Sequence, residues 1–193
     1  MKVIKFGGSL FHTPELKQWL ELLASASEHE AVVIVPGGGP FAEQVRHAQR
    51  LHRFGDSSAH YMAILAMAQF GLLLADLAPR CQLLSYPPAQ ETPLANGLYI
   101  WLPDKALLHE PDLPHSWDIS SDSIALWLSQ QLNCDELVII KRTTVVASRI
   151  EALISHGVLD KGFQALFQQQ PIPTYLFHFQ QQALFPHNGL ALQ

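Results

Sequence analysis

The sequence has few charged residues, and its small basic share is the first constraint on function. Of 193 residues, 12 are Lys or Arg and 17 are Asp or Glu, which gives a net charge of −5. Surfaces that bind nucleic acids neutralise phosphates with clustered basic side chains, so this composition argues against a nucleic-acid partner. The hydrophobic share of 48% is ample for a packed core. The length predicts one domain over residues 1–193.

Cysteine is also scarce, which excludes a disulfide framework. The two cysteines, Cys81 and Cys134, lie far apart and form no C-x-x-C pair, as expected for reduced thiols in a cytoplasmic protein. The histidines at positions 47, 52 and 60 lack the tight pair spacing of zinc ligands, so we expect no protein-bound metal site. No long apolar targeting segment precedes the first predicted strand, which agrees with a cytoplasmic location.

One long apolar run, residues 61–78, has the composition of a membrane span. Gln69 and Asp76 interrupt it, and Asp56 with the two serines that follow provides helix-start chemistry just before it. We therefore expect a buried helix that a second subunit of a homo-oligomer partly covers, and no membrane contact.

Two glycine-rich loops, each after a short apolar strand, are the most informative feature. Residues 5–9 read Lys-Phe-Gly-Gly-Ser, and residues 36–40 read Pro-Gly-Gly-Gly-Pro. Neither loop is a P-loop or a G-x-G-x-x-G fingerprint. A strand, a glycine loop and a helix start gather backbone N–H groups around an anion, which Lys5 could also reach. The loops predict two sides of one polyphosphate site, although tight strand-to-helix turns would explain either loop alone.

The order of periodic segments predicts an α/β fold. Strands are predicted at residues 31–35, 81–85, 99–102, 136–141 and 173–179, and helices at 14–26, 40–53, 57–78, 120–132 and 160–169. Residues 86–97 and 103–116 are predicted to be loops. This alternation favours a mainly parallel sheet with helices on both faces, a three-layer αβα sandwich. Such sheets bind ligands at the carboxyl ends of their strands.

The second half of the chain supplies carboxylates and a further lysine. Asp118 and Asp122 stand before an apolar helix, in the stretch Trp-Asp-Ile-Ser-Ser-Asp-Ser of residues 117–123. Helix capping explains one acid and the serines, whereas two acids beside a tryptophan go beyond capping. Lys161 lies at the start of the next predicted helix, where a lysine opposes the helix dipole. It is either a solvated surface lysine or the partner of a phosphate.

Together these motifs resemble the amino acid kinase family, which includes acetylglutamate, aspartate, carbamate and uridylate kinases. The resemblance implies a carbamate kinase-like fold and a small-molecule kinase that uses ATP and Mg²⁺. The N-terminal half would lie on the acceptor and phosphate side, and the C-terminal half on the nucleotide side. It also implies that Lys5 and Lys161 are catalytic and that Asp122 orients both. The phosphate-cradling residues would be Gly7, Gly8, Ser9, Gly37, Gly38 and Gly39.

Within that family, the short length, residues 117–123 and residues 56–64 look like the (aminomethyl-furanyl)methyl phosphate kinase branch of methanofuran biosynthesis. The resemblance to this branch implies a phosphomonoester as the phosphate acceptor. It also implies that Asp56 and His60 contact the acceptor, and Asp118 is a further candidate on that side.

One segment departs from the family pattern. Most members have a Thr-Asp-x-x-Gly loop that packs on the nucleotide, whereas residues 141–146 read Lys-Arg-Thr-Thr-Val-Val. Lys141 or Arg142 could contact phosphate in its place, or nucleotide binding could be weakened or lost. Two alternatives therefore stay open: a kinase-fold binding or regulatory module without catalysis, and a family kinase with a carboxylate or carbamate acceptor.

Overall fold

The computed structural model describes residues 1–85, 93–144 and 147–193. Seven strands form a single sheet in the order β3-β4-β2-β1-β5-β6-β7. All neighbours pair in parallel except β7, which runs antiparallel to β6. The strands are β1 Lys2–Phe6, β2 Ala31–Pro36, β3 Gln82–Ser85, β4 Gly97–Leu102, β5 Glu136–Lys141, β6 Thr174–His178 and β7 Leu190–Ala191.

Six α-helices within the described residues flank this sheet and complete the expected three-layer αβα sandwich. They are α1 Glu15–Ala26, α2 Gly39–His52, α3 Asp56–Leu77, α4 Ser121–Gln131, α5 Ile150–Ser155 and α6 Phe163–Gln169. Every helix and strand predicted from the sequence is present within a few residues. The prediction missed α5, β7 and three short 3-10 helices, which are too short for a clear hydrophobic period. The predicted helix 160–169 begins later in the structure, since residues 160–162 precede α6. Of the predicted loop 86–97, residues 86–92 lie outside the described residues.

Alternation along the strands divides the interior into two hydrophobic cores, one on each face of the sheet. On one face, Val3 and Ile139 belong to a core that includes side chains of α4, α5 and α6. On the other face, Ile4 and Phe6 pack in a core with α1 and the second half of α3. Because side chains alternate, Lys5 shares the face of Val3 and lies on the α4 side.

The apolar run forms α3, which is long and apolar enough to cross a membrane by length and composition alone. Within the protein, 44% of its apolar window is buried, and Ile64, Phe70 and Leu74 lie in the two cores. Its outer face exposes Met62, Leu65 and Leu72, at 38%, 40% and 52%. The helix is therefore buried on one side only.

The strand order also fixes where a ligand can bind. β1 lies between β2 and β5, so the connections that leave β1 and β5 run to opposite halves of the sheet. At such a reversal the carboxyl ends of the strands open a crevice. Lys5, the glycine loops and Lys141 all lie at this edge of the sheet.

Candidate active site

The two glycine loops lie against each other at the carboxyl ends of β1 and β2. The strands pair in register, with Phe6 opposite Pro36, so both loops start at the same level. A Cβ on Gly8 would lie 2.3 Å from the Gly39 nitrogen, and one on Gly37 would lie 2.5 Å from the Gly8 nitrogen. Gly39 also has a φ of +51°, which favours glycine. The loops therefore need glycine for their mutual packing and form one continuous backbone surface.

Helix α2 begins at the second loop and directs its N-terminus into the crevice. Gly38 is the N-cap residue, and no side chain caps the first turn. The N–H groups of a first turn have no partner inside the helix, and together with the helix dipole they favour an anion. This geometry supports a phosphate-binding surface.

Three charged side chains form a buried cluster beside the loops. The Lys5 ammonium lies 2.9 Å from Oδ1 of Asp122, and the Lys141 ammonium contacts Oδ2 of the same carboxylate. Lys141 also donates to the backbone carbonyl of Val158. Lys5 and Asp122 are only 4% and 3% exposed. We call Lys5, Asp122 and Lys141 the lysine–aspartate cluster.

The local sequence explains why these side chains meet. On β5, Leu137, Ile139 and Lys141 alternate onto one face of the sheet, and on β1 Lys5 lies on the same face. Asp122 is in the first turn of α4, where an acid interacts favourably with the helix dipole. Because α4 covers this face, its N-terminal carboxylate lies over both lysines.

Electrostatics hold the Asp122 carboxylate in its charged form. Burial raises the pKa of Asp122, but Lys141 and Lys5 together outweigh burial and lower that pKa from 3.8 to about 2. Burial also lowers the pKa of Lys5, and Lys141 lowers it further, against the opposing effect of Asp122. One carboxylate faces two ammonium groups, so the cluster itself has an excess positive charge. Such a charge suits a bound phosphate.

Asp160 is a site residue that the sequence reasoning did not single out. Its Oδ2 accepts from the backbone N–H groups of Ser120 and Ser123, at 2.9 and 3.0 Å, and from the Ser120 hydroxyl at 2.7 Å. Its Oδ1 accepts from the Ser123 hydroxyl and from the Phe163 N–H. Burial and the nearby Asp122 raise the pKa of Asp160, against these hydrogen bonds. The residue ties the start of α4 to the segment before α6.

The expected pairing of Asp122 with Lys161 is wrong in this structure. The Lys161 ammonium lies 2.9 Å from Oδ1 of Asp118, and these side chains are 74% and 58% exposed. Residues 157–162 do reach the cluster, but through the Val158 carbonyl and Asp160. Asp122 therefore orients Lys141 in place of Lys161, because β5 alternation turns Lys141 inward while the loop turns Lys161 toward solvent.

A cavity of about 240 Å³ opens between the glycine loops, α2, α3 and the start of α4. Of the three expected acceptor-side residues, only His60 lines it. Asp56 is exposed and accepts a hydrogen bond from Gln49, and Asp118 pairs with Lys161. The cavity wall instead includes Arg46 and Trp117. The Arg46 guanidinium lies 3.7 Å from the centre of the Trp117 ring, a cation–π arrangement.

Residues 141–146 depart from the family's usual nucleotide-contacting loop, and the two basic residues at their start lie in different places. Lys141 belongs to the lysine–aspartate cluster, whereas Arg142 is exposed and its backbone carbonyl accepts from Nε2 of His178. Residues 145–146 lie outside the described residues. A group of three or more potential metal ligands is absent from the described part of the chain, and both Asp122 oxygens face lysines.

Comparisons with known proteins agree with this architecture. The sequence model of the amino acid kinase family matches residues 1–149. A [5-(aminomethyl)furan-3-yl]methyl phosphate kinase of Methanocaldococcus jannaschii is 32% identical over 148 residues, which cover 72% of this chain and 64% of that relative. The match thus spans less than two thirds of the relative's length.

Solved structures show the same fold at low sequence identity. Uridylate kinase from Archaeoglobus fulgidus has a TM-score of 0.71 at 15% identity, over 100% of this chain and 98% of its own. UMP kinase from Ureaplasma parvum has a TM-score of 0.71 at 14% identity, over 99% of this chain and 97% of its own. At these identities the likeness concerns the fold alone.

Proposed function

Because the chain belongs to the amino acid kinase family, we propose that it is a kinase that transfers the γ-phosphoryl group of ATP to a small molecule. The lysine–aspartate cluster is the observation that carries this proposal. Two ammonium groups lie on one buried carboxylate, at the end of the sheet where the two glycine loops pack against each other. Phosphoryl transfer requires mainly positioning and charge compensation from a protein, and this arrangement supplies both.

The proposed acceptor is a phosphomonoester of the kind named for the Methanocaldococcus relative, [5-(aminomethyl)furan-3-yl]methyl phosphate. This places the reaction in methanofuran-type cofactor biosynthesis. Arg46 supports an anionic acceptor, because it faces the cavity and takes part in none of the ion pairs of residues 1–85, 93–144 and 147–193. On an α-helix, long side chains point back toward the N-terminus of that helix. Arg46 belongs to α2, whose N-terminus lies at the glycine loops.

In the proposed reaction, an ionised oxygen of the acceptor phosphate attacks the γ-phosphorus of ATP. The bond from that phosphorus to the β,γ-bridging oxygen breaks, and ADP leaves. Lys5 and Lys141 flank the transferred group and offset the charge that develops on its oxygens and on the leaving oxygen. Asp122 holds both lysines, and N–H groups of Gly8, Gly38 and Gly39 complete the cradle. The Gly7 N–H, which was also expected there, already donates to the Ile140 carbonyl at 3.1 Å. The acceptor oxygen is already ionised, so the step needs no general base.

The nucleotide is proposed to lie toward the C-terminal half, beyond β5 and β6, with Arg142 as a candidate phosphate contact. ATP would carry Mg²⁺, which offsets phosphate charge and is typically held by phosphate oxygens and water. The described residues provide no carboxylate cluster for this ion, so the chain's own contribution is the two lysines. Lys161 lies outside the cluster, and any role in the reaction would depend on a contact with the nucleotide itself.

We also propose that the chain acts as a single domain and as a homo-oligomer in the cytoplasm, where ATP is supplied. The exposed residues Met62, Leu65, Gln69 and Leu72 repeat along α3 with the spacing of a two-helix seam. A second copy related by a two-fold axis would cover this stripe with the same stripe.

Phosphorus NMR of the purified protein with ATP and defined acceptors tests the proposed function. With [5-(aminomethyl)furan-3-yl]methyl phosphate, we expect one new diphosphate per ADP formed. The dephosphorylated alcohol and a carboxylate of similar size should give neither ADP nor product. Transfer to the carboxylate would favour the alternative acceptor class. Tight ATP binding without transfer to any acceptor would favour the binding module.

A further inference from the structure

The Arg46 guanidinium lies on an aromatic ring and has no polar partner within the described part of the chain. Its Cζ atom lies 3.7 Å from the centre of the Trp117 ring, and both residues line the cavity. Among the described residues, Arg46 forms neither an ion pair nor a hydrogen bond. Because Arg46 is exposed, a ligand in the cavity can reach its five N–H donors.

The Trp117 ring is itself fixed by hydrogen bonds. Its indole N–H donates to Oε1 of Gln49 at 2.6 Å. The amide nitrogen of Gln49 donates to Oδ1 of Asp56 at 2.8 Å and to the Phe54 carbonyl at 3.2 Å. An indole nitrogen only donates and a carbonyl only accepts, so these partners settle the orientation of the Gln49 amide. Asp56, expected to contact the acceptor, thus holds the group that holds Trp117.

Helical spacing brings two contacts of α2 to this one ring. Arg46 and Gln49 are three residues apart on α2, so they lie on the same face of that helix. Arg46 contacts the face of the Trp117 ring, and Gln49 contacts the nitrogen at its edge. Trp117 is thereby attached to α2 at two points, which fixes its ring relative to the cavity.

Such a stack prepares Arg46 for a ligand. A free arginine side chain loses much rotamer freedom when it binds a ligand. A guanidinium that already lies on an aromatic ring has lost part of that freedom beforehand, so binding is less unfavourable in entropy. The ring covers one face of the guanidinium, whereas the N–H groups lie in its plane. Two of them can bind two oxygens of one phosphate.

The charges around Arg46 favour an anion. Burial and the neighbouring Arg50 both lower the pKa of Arg46, so a like charge lies close to it. Glu43, one turn earlier on α2, lines the same cavity but forms no ion pair with Arg46 among the described residues. An anionic ligand would therefore supply a countercharge that these residues do not.

We infer that Trp117 is a positioning residue that holds the Arg46 guanidinium at the cavity, where Arg46 binds the phosphate group of the acceptor. This inference rests on the proposed function for the presence of the acceptor in this cavity. Arg46 holds the acceptor phosphate through oxygens that do not react, while Lys5 and Lys141 serve the transferred group. Trp117 acts through Arg46 and not on the reacting atoms.

Calorimetric titration without nucleotide tests the role of Arg46. The probes are [5-(aminomethyl)furan-3-yl]methyl phosphate and the corresponding alcohol, and the readout is the ratio of their dissociation constants. We expect the wild-type protein to prefer the phosphate, and Arg46→Met to reduce this preference about tenfold or more, as for a lost hydrogen bond to a charged group. Arg50→Met removes the same charge outside the cavity lining and should have a much smaller effect.

A double-mutant cycle tests the role of Trp117. Trp117→Leu should reduce the phosphate preference about threefold or more in the wild-type background, and have almost no effect in the Arg46→Met background, because the ring acts through Arg46. Trp117→Phe keeps an aromatic face and should retain more of the preference. A merely structural tryptophan would give the same loss in both backgrounds. If Trp117→Leu does not fold, Gln49→Leu frees the ring and should show the same dependence on Arg46.

Absence of a preference for the phosphate in the wild-type protein overturns the inference, as does an undiminished preference in Arg46→Met. Equal losses in the two backgrounds of the cycle do so as well, and in these cases phosphoryl transfer from ATP can still support the proposed function. If the preference depends on Arg46 and Trp117 as expected but no phosphoryl group is transferred, the proposed function fails and the positioning by Trp117 stands.

Discussion

Asp122 is the residue on which the proposed site depends, because its carboxylate contacts both Lys5 and Lys141. We expect Asp122→Asn to lower kcat about a hundredfold or more, since a displacement of about an ångström in such a site has an effect of that size. It should also destabilise the fold by about 3–5 kcal/mol, because two buried ammonium groups lose their partner. Steady-state kinetics and urea unfolding measure the two effects.

Asp118→Asn is the matched control for this change. Asp118 precedes the same helix, but its side chain is 58% exposed and pairs only with Lys161, so kcat and stability should stay near wild type. A folded Asp122→Asn variant with full kcat would leave Asp122 with a structural role only.

The charge of Asp122 also predicts a pH dependence of stability. Its pKa is about 2 in the folded protein, against 3.8 for an ordinary aspartate, so the folded state binds fewer protons than the unfolded state. The stabilising contribution is therefore complete above about pH 4 and is lost as the pH falls from 4 to 2. The difference in unfolding free energy between wild type and Asp122→Asn should shrink over that range. A difference that is constant from pH 6 to pH 2.5 would contradict this assignment.

At this scale the sequence reasoning identified Lys5 and Asp122 as neighbours, but it placed Lys161 at Asp122, where the structure has Lys141. Resemblance to the family favoured Lys161, whereas the alternation Leu137, Ile139, Lys141 along β5 was a signal for an inward lysine. To interpret this alternation, one must know which face of the sheet α4 covers and how β5 is in register with β1. A single sequence gives neither. Asp160 gave no signal either, because four of its five hydrogen bonds join it to Ser120 and Ser123, far away in the chain.

At the scale of elements, the glycine loops combine a packing role with the proposed binding role. A Cβ on Gly37 would meet the Gly8 backbone, so the phosphate-cradle and tight-turn explanations are not exclusive. Strand and helix positions were predictable because apolar periodicity is local. The contact between the two loops was not, because it depends on β1 and β2 lying side by side in register.

Gly37→Ala should destabilise the fold by about 1–3 kcal/mol, because the methyl group would force the two loop backbones apart. Gly55→Ala is the control, since a Cβ there meets nothing within 4 Å and φ is −68°. It should change stability by about 0.5 kcal/mol or less. Thermal unfolding of both variants measures the difference, and equal melting temperatures would show that the loops can separate without loss.

At the scale of the whole molecule, the exposed stripe of α3 carries the proposed self-association. Leu65→Glu should convert an oligomer into a monomer, because a carboxylate in an apolar seam is costly unless paired. Leu184→Glu changes a leucine of similar exposure (38%, against 40%) on the 3-10 helix Gln182–Leu184 and should leave the mass unchanged. Sedimentation equilibrium gives the masses. A monomeric wild-type protein, or a Leu65→Glu variant of unchanged oligomeric mass, would exclude this interface.

The identity of the second lysine is the central claim, and single-turnover transfer from labelled ATP to [5-(aminomethyl)furan-3-yl]methyl phosphate tests it most directly. Wild type, Lys141→Met and Lys161→Met are compared with protein in excess over ATP, after circular dichroism has shown that each is folded. The lysine–aspartate cluster predicts that Lys141→Met lowers the transfer rate about a hundredfold or more, and that Lys161→Met, whose side chain is 74% exposed, has a much smaller effect. The reverse order, with Lys141→Met near the wild-type rate and Lys161→Met inactive, would contradict the account.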